Sequence, residues 1–486
     1  MKNKVQLITY IDRLGGGKIT ELHRLLRGPL AGLFSGVHIL PFYYPIHGTD
    51  AGFDPIDHTQ VDPCLGTWAD VKALAQDMDL MADLIVNHVS SASPQFMDYS
   101  QNGDASIYNG MFLTMDTIFP NGATESDLLT IYRPRPGLPF SYATLKNGKK
   151  QLLWTTFTQE QIDINVNHPQ SQVYLQSVLQ TLHENNIRMV RLDAVGYAVK
   201  KAGSSCFMLP ETFAFIETLA RQARTLGIEV LVEIHSYFRR QIEIARQVDH
   251  VYDFALPPIV LHAIFNHTGL YLKQWLKISP RNAITVLDTH DGIGVIDIGA
   301  DSTNPQEHPG LIPPEELDAL VERIHINSNG QSRQATGAAA SNLDLYQVNC
   351  TFYDALGRNN HDYLLARAIQ FFAPGIPQVY YVGLLAGEND IVLLAKSGVG
   401  RDINRHCYTA EEIDQALQRP VVQSLFELIR FRNRHPAFDG TLSLPETGDS
   451  EITLRWDNGD AWAMLEVNFA SGSYHISSST SLNEKL

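Results

Sequence analysis

Short apolar, β-rich runs recur along the chain, and helical periodicity follows most of them. The runs are VQLITY (5–10), GVHILPFY (36–43), DLIVNHV (83–89), IRMVRLD (187–193), IEVLVEI (228–234), VYDFALP (251–257), ITVLDTH (284–290) and IPQVYYVG (376–383). Continuous apolar runs of this length suit strands covered on both faces, as in a parallel sheet. Between them, Trp68, Val71, Leu74, Ala75 and Met78 share one face of a predicted helix, opened by Thr67 and Asp70 at capping-box spacing. Phe213, Ile216, Leu219, Ala220 and Ala223 form a second stripe, with Gly227 at its C-terminal stop. Leu365, Ala368, Ile369 and Phe372 form a third, stopped by Pro374 and Gly375. Eight strands alternating with helices predict an α/β fold, a (β/α)8 TIM barrel.

Two gaps, residues 90–167 and 292–360, are too long for simple crossovers, and structureless loops of that length are rare in compact domains. Each therefore reads as an inserted subdomain, after strands 3 and 7, on the C-terminal face of the barrel. From residue 439 the pattern turns to short alternating runs, TLSL, EITLRW and AWAMLEVNF, which predict a C-terminal antiparallel β-domain. The expected division is a barrel of residues 1–89, 168–291 and 361–436, insertions at 90–167 and 292–360, and a β-domain at 437–486.

Composition narrows the function. The 486 residues carry a formal charge of −16, which argues against a basic nucleic-acid-binding face. It leaves room for a small anionic substrate, because a few Arg residues dominate within a screening length of about 10 Å. Cys64, Cys206, Cys350 and Cys407 show neither CxxC spacing nor a dense framework, and read as reduced thiols of a cytoplasmic protein. No secretory leader and no run of 18 apolar residues is visible, so no membrane partner is expected.

Barrel chemistry sits at strand C-termini. The third run offers Asn87 and His88, the fourth Arg191 and Asp193, the fifth Glu233 and His235, the seventh His290 and Asp291. HGTDAGFDP, after the second, offers Asp50, Phe53 and Asp54. A carboxylate after an apolar run is unfavourable unless solvated or paired. Any one of Asp193, Glu233 and Asp291 reads as a cap or an ion-paired acid, whereas three on one rim read as a site. Facing carboxylates are what glycosyl transfer requires, one to attack or stabilise an oxocarbenium-like carbon and one to move the proton. Arg191 lies two residues before Asp193, on the same strand face, where its charge is expected to lower the Asp193 pKa. His88 and His290 suit either sugar hydroxyls or a satisfied core. There is no HExxH, CxxC or EF-hand spacing, so no metal is expected, and carboxylate chemistry needs no organic cofactor.

The strings DLIVNHVS, VRLDAVGY, LVEIH and VLDTHDG resemble, in order and spacing, the motif regions of the α-amylase family, glycoside hydrolase family 13. YRPRPGLPF (132–140), SNLDLYQVN (341–349) and GVGRDINRH (398–406) are similar to the branch of that family that cleaves sucrose with inorganic phosphate. The resemblance implies a retaining phosphorolysis of sucrose to α-D-glucose 1-phosphate and D-fructose. Asp193 would be the nucleophile, Glu233 the general acid–base and Asp291 the transition-state stabiliser. Asp50, His88, Arg191, His290 and Arg401 would hold the glucose unit, with Phe53 as an apolar platform. Arg135, His235, Asp344, Leu345, Tyr346 and Gln347 would line the neighbouring site, where fructose leaves and phosphate enters. The Asp193 and Glu233 carboxyls would stand about 5–5.5 Å apart. Sucrose and inorganic phosphate are the expected partners, and a monomer or homodimer the expected state. Leu345 stands where a His would suit a phosphorylated sugar, which favours unphosphorylated sucrose. A phosphorylase of sucrose 6′-phosphate or glucosylglycerate, an α-glucoside hydrolase or transglucosidase, and an inactive binding barrel remain as alternatives.

Overall fold

The computed structural model describes residues 1–48, 50–301, 304–337 and 345–479. Each apolar run contributes one strand. These are β1 Gln6–Thr9, β2 Gly36–Ile39, β3 Asp79–Ile85, β4 Ile187–Asp193, β5 Glu229–Val232, β6 His250–Asp253, β7 Ala283–Thr285 and β8 Ile376–Tyr380. They pair in sequence order, every pair parallel, and β8 closes on β1. Their side chains are almost entirely buried, which is why the runs lack alternation.

Several runs overshoot their strands. After β6 the chain enters the helix Leu256–Phe265, with Pro257 and Pro258 in its first turn, where a missing N–H removes no helical hydrogen bond. After β8 the residues YVG begin the short helix Tyr381–Leu384. The seventh strand stops at Thr285, and residues 287–290 cross the rim instead. The helix Trp68–Leu74 carries the expected capping box, with Asp70 accepting the Thr67 N–H at 2.8 Å, but it ends before Ala75 and Met78. Gly375 has φ +124°, and a Cβ there would stand 2.3 Å from the Ala283 carbonyl oxygen, so the turn into β8 needs glycine.

The barrel interior is partly polar. Gln378 donates to Gln6 at 3.0 Å, and His38 Nε2 lies 2.9 Å from Asp83 Oδ2. The β3–β4 register sets Arg191 beside Asp83. Between β3 and β4 lie two small antiparallel pairs, His88–Ser90 with Gln161–Asp163 and Phe140–Thr144 with Lys150–Trp154. A satellite core of Leu113, Phe119, Ile131, Trp154 and Cys206 packs there. Between β7 and β8 lie the helices Pro314–Asn327 and Gln331–Thr336 and the pair Ile293–Gly294 with Gln347–Val348. The C-terminal sheet is antiparallel, with strands Thr441–Ser443, Glu451–Asn458, Ala461–Asn468 and Ser473–Ser478 in that order. Its inner residues Ile452, Leu454 and Trp456 are buried, and the Trp456 indole donates to the Phe372 carbonyl at 2.8 Å, joining the sheet to the barrel. Among the described residues no helix is long and apolar enough to cross a membrane.

Candidate active site

A cleft opens over the C-terminal ends of the barrel strands and encloses about 620 Å³ of space between atoms, its mouth included. Asp193, Glu233 and Asp291 all line it. One side-chain oxygen or nitrogen from each of Glu233, His235 and Asp291 lies within 4.8 Å of the other two. The three acids thus reach one cleft from the ends of three strands.

Arg191 organises the first two acids. Its Nη1 lies 2.6 Å from Asp83 Oδ1 and 2.7 Å from Asp193 Oδ1, and its Nη2 lies 3.8 Å from Glu233 Oε1. Ala194, left-handed at φ +52°, donates its N–H to Glu233 Oε2 at 3.1 Å, so the backbone turn after the strand ties the acids together. The expected lowering of the Asp193 pKa is overridden. Burial raises it to about 8, with Glu233 and Asp83 adding to the rise, while Arg191 opposes them. Asp83 is itself held down at about 2, because His38 and Arg191 outweigh its burial.

Asp291 has the opposite environment. Arg401 Nη1 lies 2.8 Å from its Oδ1 and Arg405 Nη2 3.9 Å away. Burial would raise its pKa, but Arg401, His290 and Arg405 hold it far below the carboxylate range, so it is a fixed negative charge. For Asp50, Arg135, Arg401 and Arg405 likewise outweigh burial and lower the carboxyl. Phe53 lies flat against His290, ring centroids 5.0 Å apart and planes 12° from parallel, with the Arg191 guanidinium 5.7 Å away. Burial keeps His290 neutral, its pKa lowered to about 3, and lowers His88 as well. His88 Nε2 lies 3.0 Å from the Phe53 carbonyl, and Gln161 Nε2 lies 3.4 Å from Asp50 Oδ2.

On the other side of the acids, His235 stacks on Phe254 at 3.8 Å and meets Tyr346 edge-on at 5.4 Å. Gln347 Nε2 lies 3.2 Å from His235 Nε2, while its Oε1 accepts the Gly292 N–H. Asp50, Phe53, His88, Arg191, His235, His290, Tyr346, Gln347 and Arg401 line the cleft with the three acids. Arg135 and Leu345 do not. Leu345 packs half-buried against the core. Arg135 is close enough to Asp50 and Asp291 for their charges to act on it, although burial lowers its pKa overall, and its Nε has no hydrogen-bond partner among the described residues. Asp344 lies outside the described residues. Asn87 faces away from the cleft to accept from Lys200 Nζ at 2.6 Å.

The sequence reading missed Pro134, Phe157, Tyr197 and Phe207, which form the apolar wall of the cleft. Tyr197 follows Asp193 in the string VRLDAVGY and was findable there. Phe157 and Phe207 come from irregular segments with no periodic signal. A site with a half-buried carboxylate pair, a fixed third acid and neutral imidazoles beside arginines can cleave a glycosidic bond by double displacement and receive an anionic acceptor.

Residues 32–234 match the model of the α-amylase catalytic domain. The chain is 60% identical to sucrose phosphorylase of Agrobacterium vitis over 479 residues, 99% of this chain and 98% of that one. It is 54% identical to sucrose phosphorylase of Bifidobacterium adolescentis, over 96% of this chain and 92% of that one. Among solved structures, sucrose 6F-phosphate phosphorylase from Thermoanaerobacter thermosaccharolyticum superposes with a TM-score of 0.90 at 39% identity, over 100% of this chain and 97% of that one.

Proposed function

The chain belongs to the sucrose phosphorylase family, a branch of the α-amylase family, and on that premise we propose that it converts sucrose and inorganic phosphate to α-D-glucose 1-phosphate and D-fructose with retention. The observation that carries this reading is the meeting of Asp193, Glu233 and Asp291 at one cleft, with Arg191 bonded to the first and Arg401 to the third.

The glucose unit of sucrose binds between Asp50, His88, His290, Arg401 and the Phe53 platform. Glu233 gives its proton to the glycosidic oxygen while Asp193 attacks C1. The C1–O bond to fructose breaks and an ester to Asp193 forms, the two carboxyls standing about 5–5.5 Å apart. Asp291, held negative by Arg401, stabilises the cationic character of C1 between these steps. Fructose leaves, phosphate enters, and Glu233 takes the proton of the attacking phosphate oxygen as the ester breaks. Two inversions restore the α-configuration. Arg135 and Tyr346 supply donors for the incoming anion, and a guanidinium suits phosphate oxygens better than an ammonium does. Leu345 offers no charge for a phosphate on the fructose unit, which supports unphosphorylated sucrose as the donor.

All four cysteines are free thiols, in keeping with a cytoplasmic enzyme. The test incubates the protein with sucrose and phosphate and follows α-glucose 1-phosphate and free glucose by NMR. Glucose 1-phosphate as the main product is expected. Free glucose alone would make the protein a hydrolase, and product only from sucrose 6F-phosphate would overturn the choice of donor.

A further inference from the structure

Asp297 lies on the segment after β7, does not line the cleft, and is fully buried. Its Oδ2 lies 2.8 Å from His235 Nδ1, and its Oδ1 accepts the Ser236 N–H at 3.1 Å and a Gln241 amide hydrogen at 2.7 Å. Since a carboxylate only accepts, the Nδ1 proton belongs to His235, and Nε2 is the ring nitrogen left to face Glu233, 3.9 Å away.

A second observation points to the same contact. A Cβ on Gly294 would stand 2.2 Å from Asp297 Oδ2 and 2.9 Å from His235 Nδ1. No left-handed φ requires glycine there, so room for the pair does.

We infer that Asp297 is a positioning residue for the phosphate half of the proposed reaction, fixing His235 with Nδ1 protonated so that Nε2 binds the oxyanion acceptor. The inference rests on the reading that phosphate is that acceptor. The charged groups facing His235 are Asp297 behind the ring and Glu233 and Asp291 in front. Burial disfavours the charged ring, but these three outweigh it and raise its pKa. With the ring neutral, Gln347 donates to Nε2. When monobasic phosphate arrives, its proton passes to Nε2, and the resulting imidazolium N–H donates to dibasic phosphate in place of Gln347. No covalent bond other than the O–H and N–H changes.

The test compares Asp297→Asn and Gly294→Ala for phosphorolysis across phosphate concentrations and for sucrose hydrolysis without phosphate. Each variant is expected to raise the phosphate KM about tenfold or more and to leave the hydrolytic kcat within about twofold. Equal loss of both activities, or an unchanged phosphate KM, would overturn the inference. In a His235→Gln background Asp297→Asn is expected to add nothing, and an additive effect would count against it. Should the variants not fold, 15N spectra of the histidine-labelled wild type decide, with His235 protonated at Nδ1 expected and the Nε2–H tautomer contradicting. A wild type that makes no glucose 1-phosphate would refute phosphorolysis, while the nitrogen spectrum would still judge the Asp297–His235 pairing.

Discussion

Arg191 stands two residues before Asp193 on one face of β4, and its Nη1 bridges the carboxylates of Asp193 and Asp83 at 2.7 and 2.6 Å. One buried cation thus holds the attacking group against the barrel wall. Removing one partner of a buried ion pair leaves an uncompensated charge and costs about 3–5 kcal/mol. Arg191→Met is therefore expected to lower thermal stability by that order and to abolish phosphorolysis. A variant with wild-type melting and turnover would show that the bridge is incidental.

Asp193 sits among the charges of Arg191, Glu233 and Asp83. Burial, with repulsion from Glu233 and Asp83, raises its carboxyl to about 8, so it holds a proton below that pH and is ionised above it. Attack on C1 needs the ionised carboxylate. The kcat/KM for sucrose, which reports the free enzyme, is expected to rise as pH climbs toward about 8. A profile already flat about two pH units below that value would contradict the assignment.

Arg135 approaches the cleft from the first insertion and leaves its Nε without a hydrogen-bond partner among the described residues. Arg135→Ala is expected to raise the phosphate KM by about 10- to 100-fold, the worth of a charge-assisted hydrogen bond of about 1.5–3 kcal/mol. The burst of fructose from the first half-reaction should be nearly unchanged. Unaltered phosphate dependence would remove Arg135 from the acceptor site.

Asp253, at the end of β6, accepts from the Trp275 indole at 3.0 Å and from the Leu256 N–H at 3.0 Å, yet burial raises its pKa to about 7. Between the unfolded value of about 3.9 and that figure, the folded chain holds a proton that the unfolded chain has lost. Asp253 therefore subtracts stability as pH rises through this interval, and the loss persists above it. The melting temperature of Asp253→Asn relative to wild type is expected to climb from pH 4 to about pH 7 and then level off. A constant difference across that range would contradict the burial argument.

The barrel was legible because strands buried on both faces read as unbroken apolar runs, and all eight did. Their ends were not. ALP and YVG look like continued strand because they are equally apolar, yet they begin the helices after β6 and β8. The helix Leu256–Phe265 is buried almost all round, which erases the period that would have marked it. In the site, residues at strand exits were readable from position alone, as with Asp193, Glu233 and Asp291. Asp83 and Asp297 were not singled out, since their parts depend on Arg191 and His235 across β-register and an insertion. Spacing shows the cation that lowers the Asp193 pKa, but not the burial that outweighs it.

Double displacement requires Asp193 to form a covalent bond to glucose. Glu233→Gln lacks the acid but not the nucleophile, and α-glucosyl fluoride has a leaving group that needs no proton. Intact-protein mass spectrometry of that variant after exposure to the fluoride without phosphate is expected to show a gain of one glucosyl unit, mapped by digestion to Asp193 and lost when phosphate is added. No adduct, or an adduct on any other residue, would contradict the account.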